Sequence, residues 1–177
     1  MKKFLLSAIT IFSAFLLKAQ TGDNRIVVAA ELGIPISSDF KDAFNIGFGG
    51  SVKGMYGVGT AGHVTLTSGY SHYSMKESTN DAKASLSIIP ILLGYRQNFT
   101  GLYVEPQAGI GIYRGKVTYL GQTETSSSSA FTYAVGVGYA TRQVDFGIRY
   151  QGATEDGDNI GQIGIHIGFN LLSGKQK

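Results

Sequence analysis

The chain has 177 residues, no cysteine and only 15% charged residues, which is room for one domain but leaves no disulfide framework and no thiolate site. Lys2, Lys3 and Lys18 belong to an N-terminal leader, so the remaining 12 basic residues balance 12 acidic ones and the net charge of +3 leaves no nucleic-acid footprint. Charge is well below the roughly 25% usual in soluble domains, while glycine is abundant at 25 residues.

Met1-Lys2-Lys3 is a positive n-region, Phe4 to Leu17 is a short apolar run, and Leu17-Lys18-Ala19 offers a small-residue cleavage site. Residues 1–19 therefore read as a secretory signal peptide and 20–177 as the mature domain. A transmembrane anchor is the alternative, but the apolar run is too short to span a bilayer as a helix.

Beyond the leader, runs of alternating apolar and polar residues follow one another. The predicted strands are 25–34, 44–56, 61–73, a hairpin within 87–115 that turns at 97–101, then 130–141, 144–151 and 162–171. Side chains of a strand alternate between its faces, so each run has one apolar face and one carrying Gly, Thr, amide or charge. The hairpin shows this best, with Ile89, Ile91, Leu93 and Tyr95 opposite Pro90, Leu92, Gly94 and Arg96. The segments 35–43, 74–84, 116–129 and 152–159 are expected as longer loops, the third ending in a serine run.

This gives an all-β fold: an eight-stranded antiparallel up-and-down transmembrane β-barrel, with long loops at one end and short turns at the other. Backbone groups in lipid must all be paired, so the sheet is expected to close. With both termini periplasmic, the long loops face outside. The apolar-face aromatics then divide into two girdles, Phe44, Tyr70, Phe131, Tyr133 and Tyr150 outside and Tyr56, Tyr95, Tyr139, Phe146 and Phe169 on the periplasmic side. The soluble alternative, a lipocalin-like barrel with its apolar face inward, would give water a Gly, Thr and Ser surface with too few charges.

The stretches ELGIPI (31–36), IPILLGYR (89–96), LYVEPQAGIG (102–111) and IGIHIGF (163–169) resemble the eight-stranded outer-membrane β-barrel family, loosely porin-like, which includes the OmpA and OmpX types. The resemblance covers the mature chain. It implies residence in the cell outer membrane, contact with its lipid and lipopolysaccharide, and assembly through the last strand by the barrel-assembly machinery. A partner at the exposed loops is also open. These are fold motifs and imply no activity.

The lumen face collects Glu31, Lys53, Arg96, Glu105, Asp145 and Arg149, with His166 beside them. Charges inside a membrane normally pair, so an ion-paired plug is expected, with a structural or surface-interaction role for the protein. A narrow pore is the alternative, although balanced signs do not suit ion selectivity. Centring the first hairpin near Phe99 and Thr100 puts Arg96 opposite Tyr103 and diagonal to Glu105. A similar construction sets Asp145 opposite His166 and Arg149 opposite Gln162. The one hint of chemistry is His72 with Ser74, two apart on an outward face, similar to the His-x-Ser arrangement of lipid A deacylases. No acidic residue stands ready to orient the histidine, so the expectation is no enzyme, no metal and no cofactor.

Overall fold

The computed structural model describes residues 24–76, 82–155 and 158–173; the signal peptide expected over 1–19 lies outside them. The strands are β1 Arg25–Pro35, β2 Gly47–Val58, β3 Gly62–Ser74, β4 Ala82–Phe99, β5 Leu102–Tyr119, β6 Gln122–Ala140, β7 Val144–Glu155 and β8 Asp158–Ser173. Each pairs antiparallel with its chain neighbour, and β1 pairs with β8, so the sheet is a closed barrel. The closing ladder carries a register shift between Ile26 and Val27. Closure removes both sheet edges.

Alternation is what makes the barrel two-faced. On β4, Ile88, Leu92 and Arg96 are buried inside while Ile91, Leu93 and Tyr95 are exposed outside. Outward apolar side chains recur on every strand, with Phe48 at 67% and Phe131 at 62% exposure. A soluble chain would not leave such a continuous apolar surface bare. On β5 the outward apolar run from Leu102 to Ile112 spans ten residue steps. At about 3.4 Å per residue and a tilt of about 40°, that is about 26 Å, close to the apolar band of a membrane barrel.

Two connections are tight hairpins with positive φ at both turn residues: Thr100 (51°) and Gly101 (97°), then Leu120 (46°) and Gly121 (82°). That is the geometry whose twist matches antiparallel strands. The second hairpin corrects the loop expected over 116–129. Lys116 pairs with Thr125 and Gly115 with Ser126, so both strands continue well past the barrel. The ladder between β6 and β7 begins only at Phe131 and Thr154, so the upper part of β6 has β5 as its one strand neighbour. Likewise, β7 and β8 run on through most of 152–159, pairing Ala153 with Ile160.

The expected loop over 35–43 contains a six-residue helix, α1, Ser38–Ala43. Backbone N–H groups of Ile36 and Ser37 donate to the Gly161 carbonyl, and Asn45 N–H donates to the Ser74 carbonyl. These tethers strap the segment between β8 and β3, across the loop end of the barrel. The expected loop over 74–84 lies partly outside the described residues; β4 resumes at Ala82.

Candidate functional site

The barrel interior is layered. At the loop end Phe40 of α1 sits in an apolar cluster with Tyr73, Ile88, Tyr113, Ala130 and Ala153. Its ring centroid is 5.0 Å from that of Tyr73 and 5.5 Å from that of Phe44. Phe44 therefore does not stand in the outer aromatic girdle as the sequence pattern suggested. The helix interrupts the alternation, and the chain bends inward to an isolated bridge between Phe44 and Met75 before β2 begins. Below the cap, the Tyr73 hydroxyl donates to the Gln162 side-chain carbonyl, and both residues are buried.

Beneath this cap lies the charged layer. The Arg96 guanidinium donates from Nε and Nη2 to Glu105 Oε2 at 2.9 and 2.7 Å, and from Nη1 to Asp145 Oδ2 at 2.5 Å. Lys53 Nζ donates to the same Glu105 oxygen at 2.8 Å. Glu105 Oε1 accepts from Thr65 Oγ1 at 2.9 Å and Gln107 Nε2 at 2.8 Å. Asp145 Oδ1 accepts from the Tyr103 hydroxyl at 2.9 Å, and His166 Nε2 lies 3.2 Å away. The Arg96 guanidinium also stacks 3.6 Å above the Tyr103 ring. Two cations thus meet two carboxylates, and hydroxyls and an amide take up further acceptor positions. Such satisfaction is what makes burial of charge tolerable.

Glu31 and Arg149 form a separate pair, with Arg149 Nη2 donating to Glu31 Oε2 at 3.0 Å and Ser51 Oγ donating to Oε1 at 2.6 Å. All seven residues singled out on the lumen face, Glu31, Lys53, Arg96, Glu105, Asp145, Arg149 and His166, point inward and join one of these two groups. The register differs from the expected one by two residues. Gln97 faces Val104 and Asn98 faces Tyr103, because the turn is centred on Thr100 and Gly101. Asp145 faces Gly168 and Arg149 faces Gly164. The Arg96–Glu105 and His166–Asp145 contacts form nonetheless, since long side chains reach diagonal neighbours. Tyr103, expected opposite Arg96, joins the network through its hydroxyl and its ring, and Thr65 and Gln107 complete it; the sequence signal for these last two is their inward parity alone.

His72 and Ser74 do not form a pair. His72 Nδ1 lies 3.1 Å from Ser87 Oγ on β4, and the Tyr70 hydroxyl is 2.9 Å from the same oxygen. In an antiparallel ladder the cross-strand neighbour, here Ser87 opposite His72, is closer than the residue two along. Among the described residues, no group of three or more His, Asp or Glu side chains is placed to hold a metal ion. The outward aromatics Tyr70, Phe131 and Tyr133 stand towards the loop end, with Tyr150 6.2 Å from Tyr133. Tyr56, Tyr95, Tyr139, Phe146 and Phe169 are exposed towards the opposite end.

A family model described as outer membrane protein beta-barrel domain matches residues 4–171. No curated protein sequence matches the chain. Among solved structures it resembles Ail, the attachment invasion locus protein of Yersinia pestis, in complex with the heparin analogue sucrose octasulfate. There identity is 15%, coverage is 85% of this chain and 99% of that one, and the TM-score is 0.67. The N-terminal β-barrel domain of Pseudomonas aeruginosa OprF follows at 16% identity, 85% and 100% coverage and a TM-score of 0.59. Neisserial surface protein A matches at 18% identity, 83% and 95% coverage and a TM-score of 0.57. At these identities the likeness is one of fold.

Proposed function

The chain belongs to the outer-membrane protein β-barrel domain family and resides in the outer membrane, and from that premise we propose that its lumen is a closed structural core and that its outer surface carries the function. What supports this reading is that two layers of side chains lie across the interior. An apolar cap built on Phe40 lies over a charged layer in which Arg96 bridges Glu105 and Asp145. Charges committed to one another do not form a ring of one sign that would select ions.

The part left for function is the β5–β6 hairpin and its surroundings. Gln122 to Ser129 is exposed at every residue, and Val117, Tyr119 and Leu120 are exposed near the tip. A hairpin whose backbone is already paired presents side chains to a partner at lower ordering cost than an unpaired loop. The outward aromatics at the two ends sit at the headgroup levels, and the last strand serves recognition by the assembly machinery.

Single-channel recording in a planar bilayer tests the closed lumen. The expected result is no resolved conductance steps at moderate voltage. Regular steps of one size would establish the narrow pore in its place.

A further inference from the structure

The outward face of β4 and β5 changes character abruptly above the apolar band. Below the boundary it carries Ile89, Ile91 and Leu93 on β4 and Ile110 and Ile112 on β5. The next outward positions on β5 are Arg114 and Lys116, both exposed, and Lys83 is exposed on β4. The register sets Arg114 opposite Ser87, Lys116 opposite Ser85 and Thr118 opposite Lys83. On the other flank Arg114 faces Ser127 and Lys116 faces Thr125. Diagonal and next-but-one positions on one sheet face lie about 7–8 Å apart, so the three cations share one patch. Hydroxyls surround them: Ser87 is held by Tyr70 and His72, and Ser85, Thr125 and Ser127 stand alongside. Among the described residues of β3 to β6, the acidic side chain of this overhang, Glu124, has the opposite parity and faces Val117.

We propose that this patch binds the phosphate groups of an outer-leaflet glycolipid headgroup, the bis-phosphorylated glucosamine unit of lipid A. Position and charge argue together. Arg114 is the first outward residue beyond a span of about 26 Å that already matches the apolar band, so it lies at headgroup depth. Cations interleaved with hydroxyls supply charge-assisted hydrogen bonds to phosphate oxygens, and the neighbouring Ile112 and Phe131 offer an apolar wall to the acyl chains. A headgroup with two phosphates can engage more of these cations than a glycerophospholipid with one. The inference rests on the reading that this end of the barrel faces outward.

The full-length protein is placed in nanodiscs of phosphatidylcholine alone, with phosphatidylglycerol, or with bis-phosphorylated lipid A, and retained lipids are counted by native mass spectrometry. The wild type is expected to retain lipid A over phosphatidylglycerol. Combined K83Q, R114Q and K116Q should weaken retention about 10- to 100-fold, given the surface attraction each cation supplies. Arg142→Gln, at the opposite rim, should leave retention unchanged, as should the charge-conserving pair Arg114→Lys and Lys116→Arg. Equal retention by the triple variant and the wild type overturns the proposal, as does equal retention of the two anionic lipids. Orientation is read separately by labelling Ser126→Cys on intact cells with an impermeant maleimide. Labelling without lipid A selectivity defeats this site alone, whereas no labelling defeats the outward reading beneath it.

Discussion

Arg96 and Glu105 sit on adjacent strands and share two hydrogen bonds to a single carboxylate oxygen, with both side chains nearly inaccessible. Arg96 also reaches Asp145, so one guanidinium neutralises two acids at once. Its removal leaves Glu105 and Asp145 with Lys53 as their remaining close cation. Arg96→Ala is therefore expected to destabilise the barrel by about 3–5 kcal/mol, the cost of leaving a buried charge unpaired. Adding Glu105→Ala restores the balance of one cation and one acid, so the double variant should lose less than the sum of the single losses. Urea unfolding in lipid, followed by tryptic protection or tyrosine fluorescence, measures the cycle. Simple additivity would show the two residues to be energetically independent.

Phe40 packs into the apolar cluster at the loop end from a six-residue helix that is tethered to Gly161 on one side and, through Asn45, to Ser74 on the other. Phe40→Ala should cost about 3 kcal/mol or less, because the helix can lift without opening the barrel ladders. Amide exchange should accelerate over residues 36–45 and stay unchanged at Arg96 and Glu105. Bilayer recordings of this variant should remain silent, since the charged layer beneath is intact. Conductance in Phe40→Ala would place the whole seal at the cap.

Thr100 and Leu120 both adopt positive φ, a conformation that favours Asn in the first position of a two-residue hairpin turn. Thr100→Asn and Leu120→Asn are each expected to stabilise by about 0.5–1 kcal/mol through relief of backbone strain. Gly101→Ala and Gly121→Ala should destabilise. Equilibrium unfolding midpoints read all four, and a loss of stability in the Asn variants would contradict the turn geometry.

The faces were legible in the sequence and the register was not. Parity depends only on a period of two, so Arg96, Glu105 and Asp145 could be placed inside from alternation alone. Register depends on where the turn is centred, and nothing in Asn98-Phe99-Thr100-Gly101 singles out a threonine as the residue with positive φ. The same difficulty hid the long hairpin. Leu120-Gly121 lacks the usual Asn-Gly or Asp-Gly signal, and Ser126 to Ser129 has the composition of a loop. Those serines are held in a strand by pairing with Ile112 to Gly115, a cross-strand cause that local composition does not reveal. Phe44 lies off the expected girdle for a related reason: a short helix with no side-chain capping hydrogen bond interrupts the alternation just before it.

The hairpin beyond the rim should be dispensable for the barrel. Replacing residues 114–127 by Asn-Gly would join Tyr113 to Ser128, which already face each other. The shortened protein is expected to keep the faster migration of an unboiled barrel on a denaturing gel. Loss of that shift would show that the overhang stabilises the strands below it.

The seam between β1 and β8 joins residues as distant in sequence as Arg25 and Ser173. Each of the other seven ladders links neighbours along the chain and can zip from its own turn. The seam has no such turn and forms only after the last hairpin has been made, which makes it the slow, high-contact-order event of assembly. Until then the sheet is an open ribbon with two rows of unpaired amides, a state that lipid penalises. A substitution that weakens the β1–β8 ladder near the shift at Ile26 and Val27 would therefore lengthen the lifetime of that ribbon, and with it the time available for aggregation, more than it would alter the stability of the closed protein.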